Sequence, residues 1–369
     1  MEAYTQLLRD KKQIDFDDMI NTAAAKISER GINERFKYII VDEYQDISKS
    51  RFGLIKAIRE QCDAKLICVG DDWQAIYRFA GSDVSLFTNF EQHVGYHETL
   101  KIECTYRNSQ ELVDIASAFI EKNNSQIPKT MHSDKHENLP VVIYLKQDMA
   151  EAFESALHRI LANRKNYDGR VLVLGRHNFD IVSLYPGLEG NEHISFRENR
   201  KTGDVRIIFD GYDDITYMSV HRAKGLEASD VIVLNLVNDM YGFPNRLEDD
   251  PILQLLLDDK ENYEFAEERR LFYVALTRTK NQVYLISRDT ESGPGPSPFV
   301  EELKQNDKGY VGLVSTNDAW NPTLCPRCKT GRLVVRKNTE TGKSFLGCTN
   351  YPFCEKSYDQ TEILEDKLK

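Results

Sequence analysis

The sequence predicts an α/β protein built on parallel sheet, and two observations carry that reading. Short β-branched runs recur along the chain: YIIV (38–41), KLICV (65–69), VVIYL (141–145), RVLVL (170–174), DVIVL (230–234) and QVYLI (282–286). They are almost continuously apolar, as strands buried on both faces of a parallel sheet are. Segments of helical period separate them, which fits helices layered on a sheet.

Taken in order, residues 13–30 predict a helix with Phe16, Met19, Ile20, Ala23 and Ile27 on one face and Gly31 just past its end. A second helix spans 109–123, opening at Ser109, with Leu112, Ile115, Ala116 and Phe119 as its apolar stripe. A third covers 149–164 and carries Phe153, Leu157, Ile160 and Leu161. These stripes are core material rather than functional signals. The run SGPGPSP (292–298) breaks all periodicity and reads as a linker.

The chain has 369 residues, of which 41% are hydrophobic and 29% charged, the balance of a globular protein with two or three domains. No apolar run approaches the roughly 20 residues that cross a bilayer, and the N-terminus lacks a signal peptide's apolar stretch. A cytoplasmic location and no membrane partner are expected. A net charge of −11 excludes a uniformly basic surface, so any nucleic-acid contact has to be local. Between Cys325 and Lys356 the balance reverses, with seven Lys and Arg against two Glu. Cys62, Cys68 and Cys104 lie in apolar or motif segments and are expected as free thiols.

Five strings stand in fixed order: YIIVDEYQD (38–46), VGDDWQAIYRFAG (69–81), ECTYRN (103–108), MSVHRAKGLE (218–227) and EERRLFYVALTRTK (267–280). Together they resemble the superfamily 1 DNA helicases of the UvrD/Rep type, in the manner of bacterial DNA helicase IV, over about residues 13 to 288. The resemblance implies two RecA-like parallel-sheet motor domains, the first incomplete, and an ATP-dependent helicase or translocase moving 3′ to 5′ on single-stranded or partly duplex DNA. Its cofactors would be ATP and Mg²⁺.

Residue by residue, the resemblance implies that Asp42 holds Mg²⁺ through water and Glu43 polarises the attacking water, with Gln45 and Asp46 linking hydrolysis to motion. Gln74 would sense the γ-phosphate. Arg107 and Arg278 would reach that phosphate, where a positioned arginine raises rates by about 10³ to 10⁵. Tyr106 would stack on adenine and Glu227 would bind the ribose, with His221, Lys224 and Gly225 coupling nucleotide to DNA. Phe79 stands where the family stacks an aromatic on a base, although Trp73, Tyr77 and Phe79 can equally be read as core. Two positions depart from the family: Ala80 replaces a frequent Arg, and Ala228 a frequent aromatic. Glu267, Glu268, Arg269 and Arg270 open a helix, where acids in the first turn suit the helix dipole.

A phosphate-binding loop needs G-x-x-x-x-G-K-[ST], so that backbone N–H groups surround the phosphates. Gly342-Lys343-Ser344 is the one Gly-Lys-Ser string, and Lys337 stands five positions before Gly342 where glycine is required. It reads as a turn between cysteine pairs. The expectation is therefore a motor without its ATP cradle, inactive alone: a truncated or split product, or half of an enzyme whose second chain supplies the Walker A segment. In the family a large domain is inserted between the third and fourth strings. Here about a hundred residues separate Arg107 from His221, and the insert is expected to shrink to a loop near 186–212.

Cys325-x2-Cys328 and Cys348-x5-Cys354, nineteen residues apart, give four thiolates in two pairs, a strong Zn²⁺ signal. Residues 323–358 resemble the zinc module at the ends of bacterial type IA topoisomerases. At this size the metal supplies the folding free energy. Arg332 and Arg336 interleave with Phe345 and Tyr351, a pattern suited to phosphate neutralisation and base stacking. Packing around the metal, or contact with a protein, is the alternative for these aromatics.

The expected boundaries are 1–35, a helical remnant of a motor insert; 36–98, the incomplete first motor domain; 99–288, the second; 289–322, a linker; 323–358, the zinc ribbon; and 359–369, a tail. The competing function is a non-catalytic single-stranded-DNA-binding or adaptor protein that keeps the helicase scaffold and zinc tail.

Overall fold

A computed structural model describes residues 2–162, 169–199, 201–247, 263–289, 294–315, 333–337, 344–348 and 357–358. The chain forms two compact units. The first comprises Met1–Leu100, Asn123–Pro128 and Glu248–Arg270, and the second Lys101–Lys122, Lys129–Leu247 and Leu271–Lys369.

In the first unit, β1 (Tyr38–Val41) and β2 (Lys65–Cys68) pair in parallel with Ile40 opposite Ile67. The helix Lys49–Cys62 connects them, capped where the Ser48 side chain accepts from the Arg51 N–H. The helix Phe16–Arg30 starts at Asp15, whose carboxylate accepts from Asp18 N at 2.7 Å, and stops at Gly31 with φ +75°. Tyr44, Ile47 and Leu86 form the core under this sheet, with Val41, Phe52, Phe87 and Phe90 packed on them. On the other face, Tyr38, Ile40, Ile67 and Val69 are exposed among the described residues. Each such side chain forgoes part of the roughly 1.5–3 kcal/mol that full burial contributes.

The second unit holds an eight-stranded sheet of β3 (Val141–Lys146), β4 (Val171–Gly175), β5 (Ile194–Glu198), β6 (Val205–Phe209), β7 (Tyr212–Ser219), β8 (Asp230–Val233), β9 (Val283–Arg288) and β10 (Val311–Ser315). Their spatial order is β10-β3-β9-β8-β4-β7-β6-β5. Every pair from β10 to β7 is parallel, while β6 runs antiparallel to both of its neighbours, β7 and β5. The apolar runs of the sequence thus become the central strands, with β3, β4, β8 and β9 almost wholly buried. The helix Met149–Ala162 lays Phe153, Leu157 and Ile160 on this sheet.

Two expectations are corrected. The segment 186–212 is not a loop: it contains β5 and β6, and the turn into β7 has positive φ at both Asp210 (+47°) and Gly211 (+81°), the geometry that Asp-Gly favours between antiparallel strands. Nor is 289–322 only a linker, because it contains the helix Pro298–Gln305 and the edge strand β10 beside β3. Ser297 and Pro298, at the end of SGPGPSP, are a helix start: Ser297 Oγ accepts from Phe299 N at 3.1 Å and proline takes the first turn.

A small antiparallel sheet follows, made of β11 (Leu333–Lys337), β12 (Ser344–Cys348) and β13 (Ser357–Tyr358). None of the described helices is long and apolar enough to cross a membrane.

Candidate functional site

The acids and amides of the first unit meet beyond the carboxyl ends of β1 and β2, the edge at which parallel sheets bind ligands. Asp42 and Glu43 are both exposed there. Asp42 Oδ1 accepts from Glu43 N at 2.9 Å, and Glu43 itself takes left-handed φ of +49°. A non-glycine residue held in that region carries backbone strain of order 1–3 kcal/mol, which the surroundings must offset. They do so through a relay of side chains. Gln45 Nε2 donates to Glu43 Oε2 at 2.5 Å, Gln45 Oε1 accepts from Asp71 N at 3.0 Å, and Gln74 Nε2 donates to Asp71 Oδ2 at 2.7 Å. A Cβ at Gly70 would overlap Gln45 Oε1, so glycine at 70 makes room for the relay. Asp42, Glu43 and Gln74, distant in sequence, are joined in one network, and Asp71 is the member that motif reading passed over.

The aromatics of the second string divide. Trp73 is buried, with Nε1 donating to Ile127 O at 3.1 Å, so the core reading holds for it. Phe79 is 58% exposed and packs edge-on against Tyr77 at 6.0 Å. The turn carrying them is clamped by the start of the helix Ala266–Leu276. Arg270 is buried and its Nε donates to Ala75 O at 2.6 Å, while Glu267 accepts from Arg78 N at 3.0 Å. Burial raises the Glu267 carboxyl, opposed by Arg270. The structural role expected of this helix start therefore rests on contacts with the 75–78 turn.

In the second unit, Arg107 Nε and Lys280 Nζ both reach the Glu227 carboxylate, at 2.9 and 2.6 Å. Hydrogen bonding to Lys280, then to Arg107, holds the Glu227 carboxyl below its usual range. Two further residues lock this cluster. Asn108 Nδ2 donates to Thr277 O and Thr279 O at 3.3 and 2.7 Å, and Lys135 Nζ donates to the carbonyls of Arg107 and Lys280. The third and fifth strings are thereby one surface. Tyr106 stands at its rim, 88% exposed. Gly225, φ +80°, turns the chain in a conformation that favours glycine. Arg278, expected to reach the γ-phosphate, is buried, with donors on Val274 O, Leu226 O and Thr277 Oγ1. Sequence reasoning missed Lys280, Asn108 and Lys135, although the first two end the strings TYRN and ALTRTK.

His221 lies elsewhere on this unit, beyond the carboxyl end of β7, whereas Glu227 and Lys280 precede β8 and β9. Burial, with Arg176 and His177 nearby, pushes its pKa down to about 4.

In the small sheet, Cys348 ends β12 opposite Leu333 and is buried, and Arg336 pairs in register with Phe345. A buried thiol at a hairpin end fits a zinc ligand. Cys325, Cys328, Cys354, Arg332 and Tyr351 lie outside the described residues, as do the side chains of Arg336 and Phe345.

The architecture defines a mixed α/β protein with a large, mainly parallel sheet and a small C-terminal one. Residues 1–95 match the UvrD/REP helicase N-terminal domain, 191–290 the UvrD-like helicase C-terminal domain, and 323–362 the topoisomerase DNA-binding C4 zinc finger. The chain belongs to the UvrD/Rep-type DNA helicase family and carries a C-terminal zinc ribbon. It is 33% identical over 312 residues to DNA helicase IV of Escherichia coli K12, covering 83% of this chain and 41% of that protein. It is 25% identical to the ATP-dependent DNA helicase PcrA of Bacillus subtilis 168 over 59% of this chain and 32% of the relative, and 27% identical to the helicase Rep of Buchnera aphidicola over 49% and 28%. The chain thus spans less than half the length of these relatives.

Proposed function

We propose that the chain is the DNA-engaging part of an ATP-dependent 3′–5′ helicase or translocase whose phosphate-binding loop is not among residues 1–369. The observation that carries this reading is the relay Glu43–Gln45–Asp71–Gln74, which fixes a carboxylate and an amide side by side at the carboxyl edge of a parallel sheet. Glu43 would accept the proton of an attacking water, with Gln74 orienting that water and Asp42 holding Mg²⁺ through water. Arg107 and Lys280 would offer cations to phosphate oxygens, Tyr106 a stacking face and Glu227 an acceptor for ribose hydroxyls. Bound Mg-ATP would supply the γ-phosphoryl group, whose in-line transfer to water depends on positioning and electrostatics more than covalent catalysis. Zinc would sit on Cys325, Cys328, Cys348 and Cys354, and the basic ribbon around it would add a second grip on DNA.

The adaptor reading draws on one observation: Arg278 is buried with its donors on backbone carbonyls and Thr277, and Arg107 rests on Glu227. Hydrolysis assays separate the two. The proposal expects negligible DNA-stimulated turnover by residues 1–369 and robust turnover, abolished by Glu43→Gln, once a G-x-x-x-x-G-K-[ST] segment from a family member is fused ahead of residue 1. A fused, DNA-binding chain that remains inert would instead support the adaptor.

A further inference from the structure

The eight-stranded sheet ends at β5, beyond which no strand follows among the described residues. Two main-chain bonds bracket β5 and set its phase: Asp210 N donates to His193 O at 3.0 Å, and Asn199 N donates to Asp204 O at 2.8 Å. Residues along an antiparallel pair alternate between bonding their neighbour and turning away from it. With Ser195 opposite Ile208 and Arg197 opposite Arg206, the odd-numbered residues therefore serve β6. Ile194, Phe196 and Glu198 turn their N–H and C=O groups out of the sheet, where these meet no partner among the described residues. An open row of this kind is a template for another strand.

The side chains of β5 divide by face. Ile194 is buried and Phe196 packs on the core of the sheet, its ring 4.8 Å from that of Tyr185, which opens the helix Tyr185–Leu188. Tyr185 is itself 36% exposed, so the two rings form an apolar ledge at the sheet's margin. Glu198 belongs to this side, where burial and then Glu198 raise the Tyr185 hydroxyl. The other face carries Ser195 and Arg197, both exposed. Arg197 stands opposite Arg206, a like-charge pairing that is unfavourable in itself. Arg206 is met by Asp213, with Nε donating to its carbonyl at 2.9 Å and a terminal nitrogen to its carboxylate at 2.7 Å. Arg197 makes no hydrogen bond or ion pair among the described residues. An open ladder, an apolar ledge and a guanidinium with no acid beside it thus share one short edge.

We infer that β5 docks an extended acidic segment of a partner protein as a further antiparallel strand, with an acid opposite Arg197 and apolar residues opposite Phe196 and Ile194. Main-chain bonds supply the affinity of such an addition and the alternating side chains its specificity. Because the main chain of Arg197 bonds inward, the residue facing it across the new edge belongs to a non-hydrogen-bonded pair, where side chains approach most closely. A second copy of β5 fits less well, since it brings another Arg197 to the same face. Nucleic acid also fits less well, because phosphates accept from N–H groups but leave the outward carbonyls of Ile194, Phe196 and Glu198 unmet. The inference is independent of the DNA-binding reading above.

The test uses residues 1–369 and a fluorescein-labelled peptide, Thr-Thr-Glu-Val-Thr-Val-Thr, whose Glu and two Val fall opposite Arg197, Phe196 and Ile194. Anisotropy should saturate, and residue-resolved amide exchange should slow at Ile194, Phe196 and Glu198 but hardly at Ser195 and Arg197, whose N–H groups already bond β6. Arg197→Glu should weaken the peptide about fivefold or more, and a peptide with Lys in place of its Glu should recover binding to that variant. Glu198→Pro removes an outward N–H and leaves the β5–β6 ladder intact, so it should abolish binding while the urea midpoint holds. Absence of saturable binding by the unsubstituted protein overturns the inference, as does protection without that alternation, or equal affinity of Arg197→Glu for both peptides. Protection of the same amides on dimerisation would assign the edge to a second copy, and protection by oligo-dT would assign it to nucleic acid; either overturns the docking of an acidic segment.

Discussion

Arg107 Nε donates to Glu227 Oε2 at 2.9 Å across 120 positions of sequence, so the arginine expected to meet a phosphate rests on the carboxylate expected to meet a ribose. Arg107 and Glu227 are each about one third or more exposed, at 31% and 42%. Ion pairs in that setting contribute about 0–1 kcal/mol, which leaves the arginine easy to redirect. Glu227→Gln should therefore shift the urea-unfolding free energy by less than about 1 kcal/mol. A loss above twice that would make the pair a structural clamp instead.

Asn108 is the opposite case. It is buried and satisfies two main-chain carbonyls, Thr277 O and Thr279 O. Removing the amide strands buried acceptors, each costing about 1–3 kcal/mol. Asn108→Ala should destabilise the second unit by about 2–4 kcal/mol in denaturant melts, several-fold more than Glu227→Gln; equal effects would contradict the ranking.

Acid should loosen the second unit. Burial pushes His177 and His221 from 6.5 down to about 4, so between those values the unfolded chain binds protons that the folded chain refuses, and stability drops as pH falls. Burial lifts Asp180 from 3.8 to about 6, which acts with the opposite sign over an overlapping range. Two histidines outweigh one aspartate, and the urea midpoint should be lower at pH 5 than at pH 7. Replacing both histidines with Gln should leave the opposing contribution of Asp180 and reverse that dependence; in the unsubstituted protein, a midpoint that rises on acidification would show Asp180 dominant.

Zinc should be integral to the ribbon. Dialysis against a strong chelator, or Cys348→Ser, should remove one equivalent of zinc by atomic absorption and abolish protection of the β11–β12 amides from exchange. Retained protection in metal-free protein would mean that the hairpin folds without metal.

Much of the fold was legible because buried parallel strands announce themselves as apolar runs: all six runs became strands, β1 over its whole predicted length. Besides the small C-terminal sheet, the strands that escaped were β5, β6, β7 and β10, which carry exposed or half-buried residues or lie at an edge, where a half-buried strand resembles a polar loop. The candidate site was legible as strings, which located Glu43, Gln74, Arg107 and Glu227 but not what holds them. Asp71, Asn108, Lys135 and Lys280 act through contacts between segments far apart in sequence, and local pattern carries no trace of those. The burial of Arg278 was invisible for the same reason.

The proposed function requires that these residues engage single-stranded DNA. It is tested most directly by the anisotropy of a labelled oligo-dT titrated with residues 1–369 at low and at raised salt. The account predicts saturable binding that weakens as salt increases, because phosphate contacts release counterions. A flat titration at low salt, with zinc bound and the protein folded, would contradict it.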